Sequence, residues 1–168
     1  MTALPELPPP TDRLGDLTEG EQLVLNCFRR WLAGPEHREL LWRSLARELE
    51  RDRARAALKG LEAAIRVLTA HATRNITYHR PCCPCVGPDE VALLTLVTAV
   101  QRSQPELARL VARNFVPHDR VSLILAAIDL FASALKRAAI ELPLRFVFCA
   151  EAEIEAASDE MASVPTIH

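Results

Sequence analysis

Aromatic side chains are scarce in this sequence, at 5% of its residues, although hydrophobic residues of all kinds make up 49%. The core must therefore come mostly from Leu, Ala, Val and Ile, and their spacing in steps of three and four is that of helices. Glycine is equally sparse, at five positions in 168, which agrees with a helical chain. No stretch reaches the roughly 18 uninterrupted apolar residues of a membrane-spanning helix; the best candidates are broken by Asp129 and by Thr95 or Thr98. The opening Met1 to Pro10 has neither the basic start nor the apolar middle of a secretory signal, so the expected location is the cytoplasm.

Familiar catalytic patterns are missing too. There is no Gly-rich phosphate loop, dinucleotide fingerprint, His-Glu-x-x-His pair or Ser or Lys nucleophile motif, so catalysis is not expected and no small-molecule substrate is identified. The formal net charge of −2 excludes little, but it is unevenly spread. Residues 29 to 80 hold 12 of the 20 Lys and Arg side chains against six acids, whereas residues 150 to 168 hold five acids and no Lys or Arg. Arg43, Arg47, Arg51, Arg55 and Lys59 recur every four residues, which on one helix makes a slowly drifting basic stripe. Glu39, Glu48, Glu50 and Asp52 supply neighbouring partners, so the stripe reads as a solvated face and nucleic acid is not expected.

The periodic segments predict an all-α fold, a compact bundle of about five to six helices with one Pro- and Cys-rich loop. Residues 1 to 17, with Pro5, Pro8, Pro9 and Pro10, read as an extended or disordered lead-in. A single helical domain is expected over 18 to 149, followed by an acidic tail over 150 to 168. Thr18 and Glu21 form a capping-box pattern before Val24, Cys27, Phe28, Trp31 and Leu32, and Gly34-Pro35 ends that helix. A second helical stretch from Leu41 to Leu68 is one long helix or two. Gly87-Pro88-Asp89-Glu90 reads as another helix start. A shorter helix follows around Leu107 to Val111, the last strong helix runs from about Asp119 until Pro143, and then comes a β-branched and aromatic run from Leu144 to Cys149 with the composition of an extended segment.

The five cysteines, three of them within four positions, do not form the even, dispersed set of a disulfide-stapled domain. His79-Arg80-Pro81-Cys82-Cys83-Pro84-Cys85 sets an imidazole and three thiols just before a helix start, where backbone N–H groups favour thiolate. Arg80 should act in the same direction, and Asp89 and Glu90 against it. Thiolate and imidazole suit zinc first, with copper or iron as alternatives, so His79, Cys82, Cys83 and Cys85 are the candidate metal ligands. The spacing is tight for four tetrahedral vertices, and His71, His118, Cys27 and Cys149 are the remote donors on offer. The same thiols permit a redox reading by disulfide closure. A third reading is a structural loop in a helical module that binds a protein partner or a second copy of itself. Cys27 and Cys149, among Phe28, Trp31, Phe146 and Phe148, read as buried and inert.

The order of a Trp-containing first helix, a long helix, a loop ending Cys83-Pro84-Cys85-Val86-Gly87-Pro88-Asp89-Glu90 and two further Ala- and Leu-rich helices resembles a group of uncharacterised helical proteins from proteobacteria. The resemblance spans about residues 18 to 142. It implies an all-helical fold and brings no activity. Cys82 and the acidic tail depart from the pattern.

Overall fold

A computed structural model describes residues 12–145, and six α-helices packed together account for most of them, with no strand among the described residues. The helices are α1 (Glu19–Ala33), α2 (Arg38–Glu48), α3 (Arg51–His71), α4 (Pro88–Gln101), α5 (Pro105–Ala112) and α6 (Val121–Arg137). The all-α expectation holds. The Leu144 to Cys149 run lies outside the described residues beyond Arg145, as do the acidic tail and Cys149.

Local chemistry sets several helix ends where the sequence predicts them. The Thr18 Oγ1 accepts from the Glu21 N–H at 3.3 Å, and the Thr18 N–H donates back to Glu21 Oε2 at 2.8 Å. This reciprocal cap starts α1. Gly34 ends it with a φ of +128°, a conformation that L side chains rarely adopt. Pro88 occupies the first turn of α4, where a missing N–H costs nothing.

The stretch from Leu41 to Leu68 is two helices. Leu49 is extended at φ −119° and ψ 149°, and Glu50 is extended in ψ as well, so the chain turns between α2 and α3. No proline or glycine marks the turn; Leu49 is buried, and packing overrides the helix-forming residues on either side. The basic stripe is therefore divided, with Arg43 and Arg47 on α2 and Arg51, Arg55 and Lys59 on α3. Arg43 pairs with Glu39 at 2.5 Å and Arg47 with Glu48 at 2.8 Å, both on exposed surface.

Helix α4 is buried nearly all round, its side chains from Ala92 to Ala99 all lying in the interior. A helix apolar on every side is the central member of a bundle. Helices α3 and α6 come into close backbone approach at Gly60, where a Cβ would sit 2.5 Å from the Phe131 backbone nitrogen. Phe131 also meets Phe28 of α1 edge to face, with ring centroids 5.9 Å apart. From Val121, Ile124, Ile128, Phe131 and Leu135, α6 builds the core face that its spacing predicts.

Two segments outside the helices are bound into the bundle. Leu17 is buried, and residues 12–14 pair with the Cys-rich loop, so the chain engages the fold before the expected start at Thr18. After α6, residues 140–145 lie along α4 as a strap. The Gln101 side-chain amide donates to the Ile140 carbonyl at 2.9 Å and accepts the Leu142 N–H at 2.9 Å. Buried Glu21 pairs with Arg145 at the strap's end, with Nη2 to Oε2 at 2.9 Å.

Gly60 gives a test in which two effects oppose each other. On an isolated helix Gly60→Ala gains about 1 kcal/mol. Against the Phe131 backbone the added methyl is overpacked, at a cost of roughly 1–3 kcal/mol. The expected result is a lower melting temperature for Gly60→Ala; a rise would show that α3 and α6 are not in backbone contact there.

Candidate thiol site at the start of α4

The loop between α3 and α4 runs over residues 72–87, and it is fixed at several points before it reaches its cysteines. The Thr73 N–H donates to the Phe115 carbonyl at 3.0 Å. Arg74 then forms a two-pronged pair with Asp89, at 2.6 and 3.0 Å, and the Thr77 N–H donates to Asp89 Oδ2 at 2.8 Å. The Arg74 guanidinium holds the Asp89 carboxyl down at about 2; burial opposes the shift, and the Thr77 N–H and hydroxyl add to it.

Glu90 is the centre of the second anchor. Its side chain is 4% exposed and its partner Arg29, on α1, is 1% exposed. Arg29 grips it through Nε to Oε1 at 2.6 Å and Nη2 to Oε2 at 2.9 Å. Oε2 also accepts the Gly87 N–H at 2.9 Å, and the His79 Nδ1 lies 2.8 Å away. Burial alone would push the Glu90 carboxyl up, but the hydrogen bonds from Arg29, Gly87 and His79 outweigh it and hold the group down at about 2. An ionised carboxylate only accepts, so the imidazole proton sits on Nδ1, and in the neutral ring Nε2 is then the basic nitrogen.

The same guanidinium reaches past Glu90 to the loop backbone. Nη1 donates to the Cys83 carbonyl at 2.8 Å and Nη2 to the Cys85 carbonyl at 2.5 Å. On the other side, the Leu14 N–H donates to the Pro84 carbonyl at 2.7 Å and the Val86 N–H to the Asp12 carbonyl at 2.6 Å, an antiparallel bridge centred on Arg13 and Cys85. The chain from Cys83 to Val86 is thus held extended between Arg29 and residues 12–14. In extended chain, residues i and i+2 project to the same face, which brings the Cys83 and Cys85 thiols together.

Cys82 goes elsewhere. The Cys83 N–H donates to the Arg80 carbonyl at 3.0 Å, closing a turn with Pro81 in its second position and Cys82 in its third. Cys82 is exposed at that tip and lines an open groove of about 550 Å³ with Tyr78, Arg80, His37 and Leu32. Of the four candidate ligands, then, the fold pairs Cys83 with Cys85, sets Cys82 on the turn and ties one nitrogen of His79 to Glu90. Among the described residues no group of three or more His, Cys, Asp or Glu side chains is arranged to hold a metal ion.

The expectation that the helix start lowers a thiol pKa is not met at Cys85. Its pKa is raised, first by the hydrogen bond with Cys83 and by that neighbour's charge, and further by Asp12. The N–H at the head of α4 that would favour a thiolate already serves Glu90. Cys27 is buried in the core, and burial pushes its thiol up to about 12, as an inert cysteine requires. His71 ends α3 and His118 sits in an exposed turn before α6. The roles of Arg29 and Glu90 escape a reading of the sequence, because Arg29 counts there as one more surface cation and Glu90 as a helix-start acid; only the position of Glu90, three residues past Gly87, hints at a backward hydrogen bond.

No family model matches the chain, and no curated protein and no solved structure matches it either.

Two outcomes follow from the anchors. Arg29→Met strands a buried carboxylate and should cost roughly 3–5 kcal/mol, whereas Arg29→Met with Glu90→Met should recover most of that, as read from urea unfolding. Because Asp89 and Glu90 titrate lower folded than unfolded, their stabilisation is complete above about pH 5 and drains away as pH falls toward 2. A melting temperature flat between pH 5 and pH 3 would contradict these assignments.

Proposed function

We propose that this chain is a small helical metal-binding protein of regulatory type, which takes one zinc ion through the loop before α4. The observation that carries this reading is the pairing of the Cys83 and Cys85 thiols on a backbone held from both sides. Two thiolates are a soft donor pair, and a divalent ion would take the place of the thiol protons. His79 is the third donor, through Nε2: its Nδ1 is already backed by Glu90, the carboxylate-to-imidazole arrangement that orients metal-bound histidines. Cys82, one turn away in the same loop, is the fourth. Copper or iron would use the same donors. Binding would have to draw Cys82 and His79 toward the Cys83 and Cys85 pair, since the described residues hold no ready group of three donors, and the reading is regulatory because the sequence carries none of the patterns that would add chemistry to the ion.

A second reading rests on a different part of the surface. Leu123 and Leu130, seven residues apart on α6, are 47% and 42% exposed, and Leu110 on neighbouring α5 is 55% exposed. These leucines fit a helical module that associates with a second copy of itself, the Cys-rich loop then being structural.

Metal content decides between the two. Protein purified without chelators under anaerobic conditions should carry one zinc per chain; Cys83→Ser with Cys85→Ser should carry none, and His79→Gln should lose at least about tenfold in affinity. Equal metal in the wild type and the double variant would end the metal reading. A monomer by light scattering that stays a monomer in Leu123→Glu with Leu130→Glu would end the self-association reading.

A further inference from the structure

We infer that Cys83 and Cys85 form a reversible intramolecular disulfide with a low-molecular-weight disulfide as the oxidant, leaving Cys82 as a free thiol. The inference uses the two thiols of the metal reading and needs no metal. It starts from geometry: the bridge at Cys85 and the hydrogen bonds to the Cys83, Pro84 and Cys85 carbonyls hold an extended segment whose alternate side chains leave on one face, with Cys85 exposed and Cys83 partly so. Two residues of extended chain put the Cα atoms about 6.5 Å apart. That is near the upper end of the roughly 4.4–6.8 Å over which a disulfide closes. The ring is therefore within reach but not relaxed.

Two features make closure fast and also easy to undo. Pro84, between the cysteines, has a fixed φ, so the chain has little freedom left to lose when the ring forms. The Cys83 and Cys85 carbonyls are held by Arg29, and the neighbouring Pro84 carbonyl by Leu14, so the backbone resists being drawn together. Strained, exposed disulfides are the readily reduced ones. Cys82 competes poorly, because a bridge to adjacent Cys83 closes a smaller ring and the Arg80 to Cys83 turn aims Cys82 at the groove instead.

The chemistry balances without any group that the protein must supply beyond its thiols. One cysteine, as thiolate, attacks a sulfur of the small disulfide; the small S–S bond breaks, a mixed disulfide forms and one small thiolate leaves. The second cysteine gives up its proton to solvent and attacks the protein sulfur of the mixed disulfide; the ring closes and the second small thiolate leaves. The small disulfide gains the two electrons that the two cysteines lose, and it ends as two thiols.

The test uses the full-length reduced protein, freed of metal with a chelator, and bis(2-hydroxyethyl) disulfide as the probe, followed by alkylation and peptide mapping. The expected product, in wild type and in Cys82→Ser alike, lacks two hydrogens, joins Cys83 to Cys85, leaves Cys82 of the wild type alkylated, and reopens with excess 2-mercaptoethanol. A bridge that includes Cys82, a mixed disulfide that persists, or thiols left unchanged would each overturn the inference. Failure here is separable from failure of the metal reading. Protein that binds zinc but never closes the ring overturns this inference alone, and protein that closes the ring but never holds metal overturns the other alone.

Discussion

The ion pair between Arg29 and Glu90 is the constraint on which the rest of the loop depends. Neither group is in water, and an isolated charge in the interior costs several kcal/mol. The cost is offset only because every polar side-chain atom of both has a partner: Glu90 has Arg29, Gly87 and His79, and Arg29 has Glu90 and two loop carbonyls. Among the described residues no buried polar side-chain atom lacks a partner. A loop rich in proline and cysteine cannot form helix or sheet ladders of its own. Its backbone is satisfied by a guanidinium from α1 on one side and by the chain before α1 on the other.

Helix α1 does this twice. Glu21, in its first turn, pairs with Arg145 at the end of the strap, and Arg29, two turns later, pairs with Glu90 at the head of α4. The apolar centre of the bundle is elsewhere, in the close approach of α3 to α6 at Gly60 and in the middle of α4, buried from Ala92 to Ala99. The protein thus divides its labour. Non-directional burial of Leu, Ala, Val and Ile holds the helices together, and three directional charge pairs, Arg29 with Glu90, Arg145 with Glu21 and Arg74 with Asp89, set where the irregular segments lie.

What could be read from the sequence follows the range of the interaction. Features set within four residues were legible: the Thr18 and Glu21 cap, the stop at Gly34, the start at Pro88 and the core face of α6. Features set by distant contacts were not. Arg29 and Glu90 are 61 residues apart, and Glu21 and Arg145 are 124 apart. The turn at Leu49 and Glu50 has no local breaker, and Gly60 looks like a helical blemish until Phe131 is seen beside it. In the candidate site, the cysteines were visible as a cluster, but their division into a pair and a lone turn residue required the hydrogen bonds of the backbone. At Cys85 the expected effect of the helix start also failed, here for a local reason, since Glu90, three residues past Gly87, takes the N–H that the thiolate would need.

The paired thiols are a consequence of a backbone held by Arg29 and by residues 12–14, whatever they bind or become. Amide hydrogen exchange measures that directly. The Val86 and Leu14 N–H groups should be protected close to the level of α4, and conservative replacement by Arg29→Lys should speed both while leaving the α3 and α6 amides unchanged. Fast exchange at Val86 and Leu14 in the unaltered protein would contradict the account, because the loop would then present its cysteines without being held.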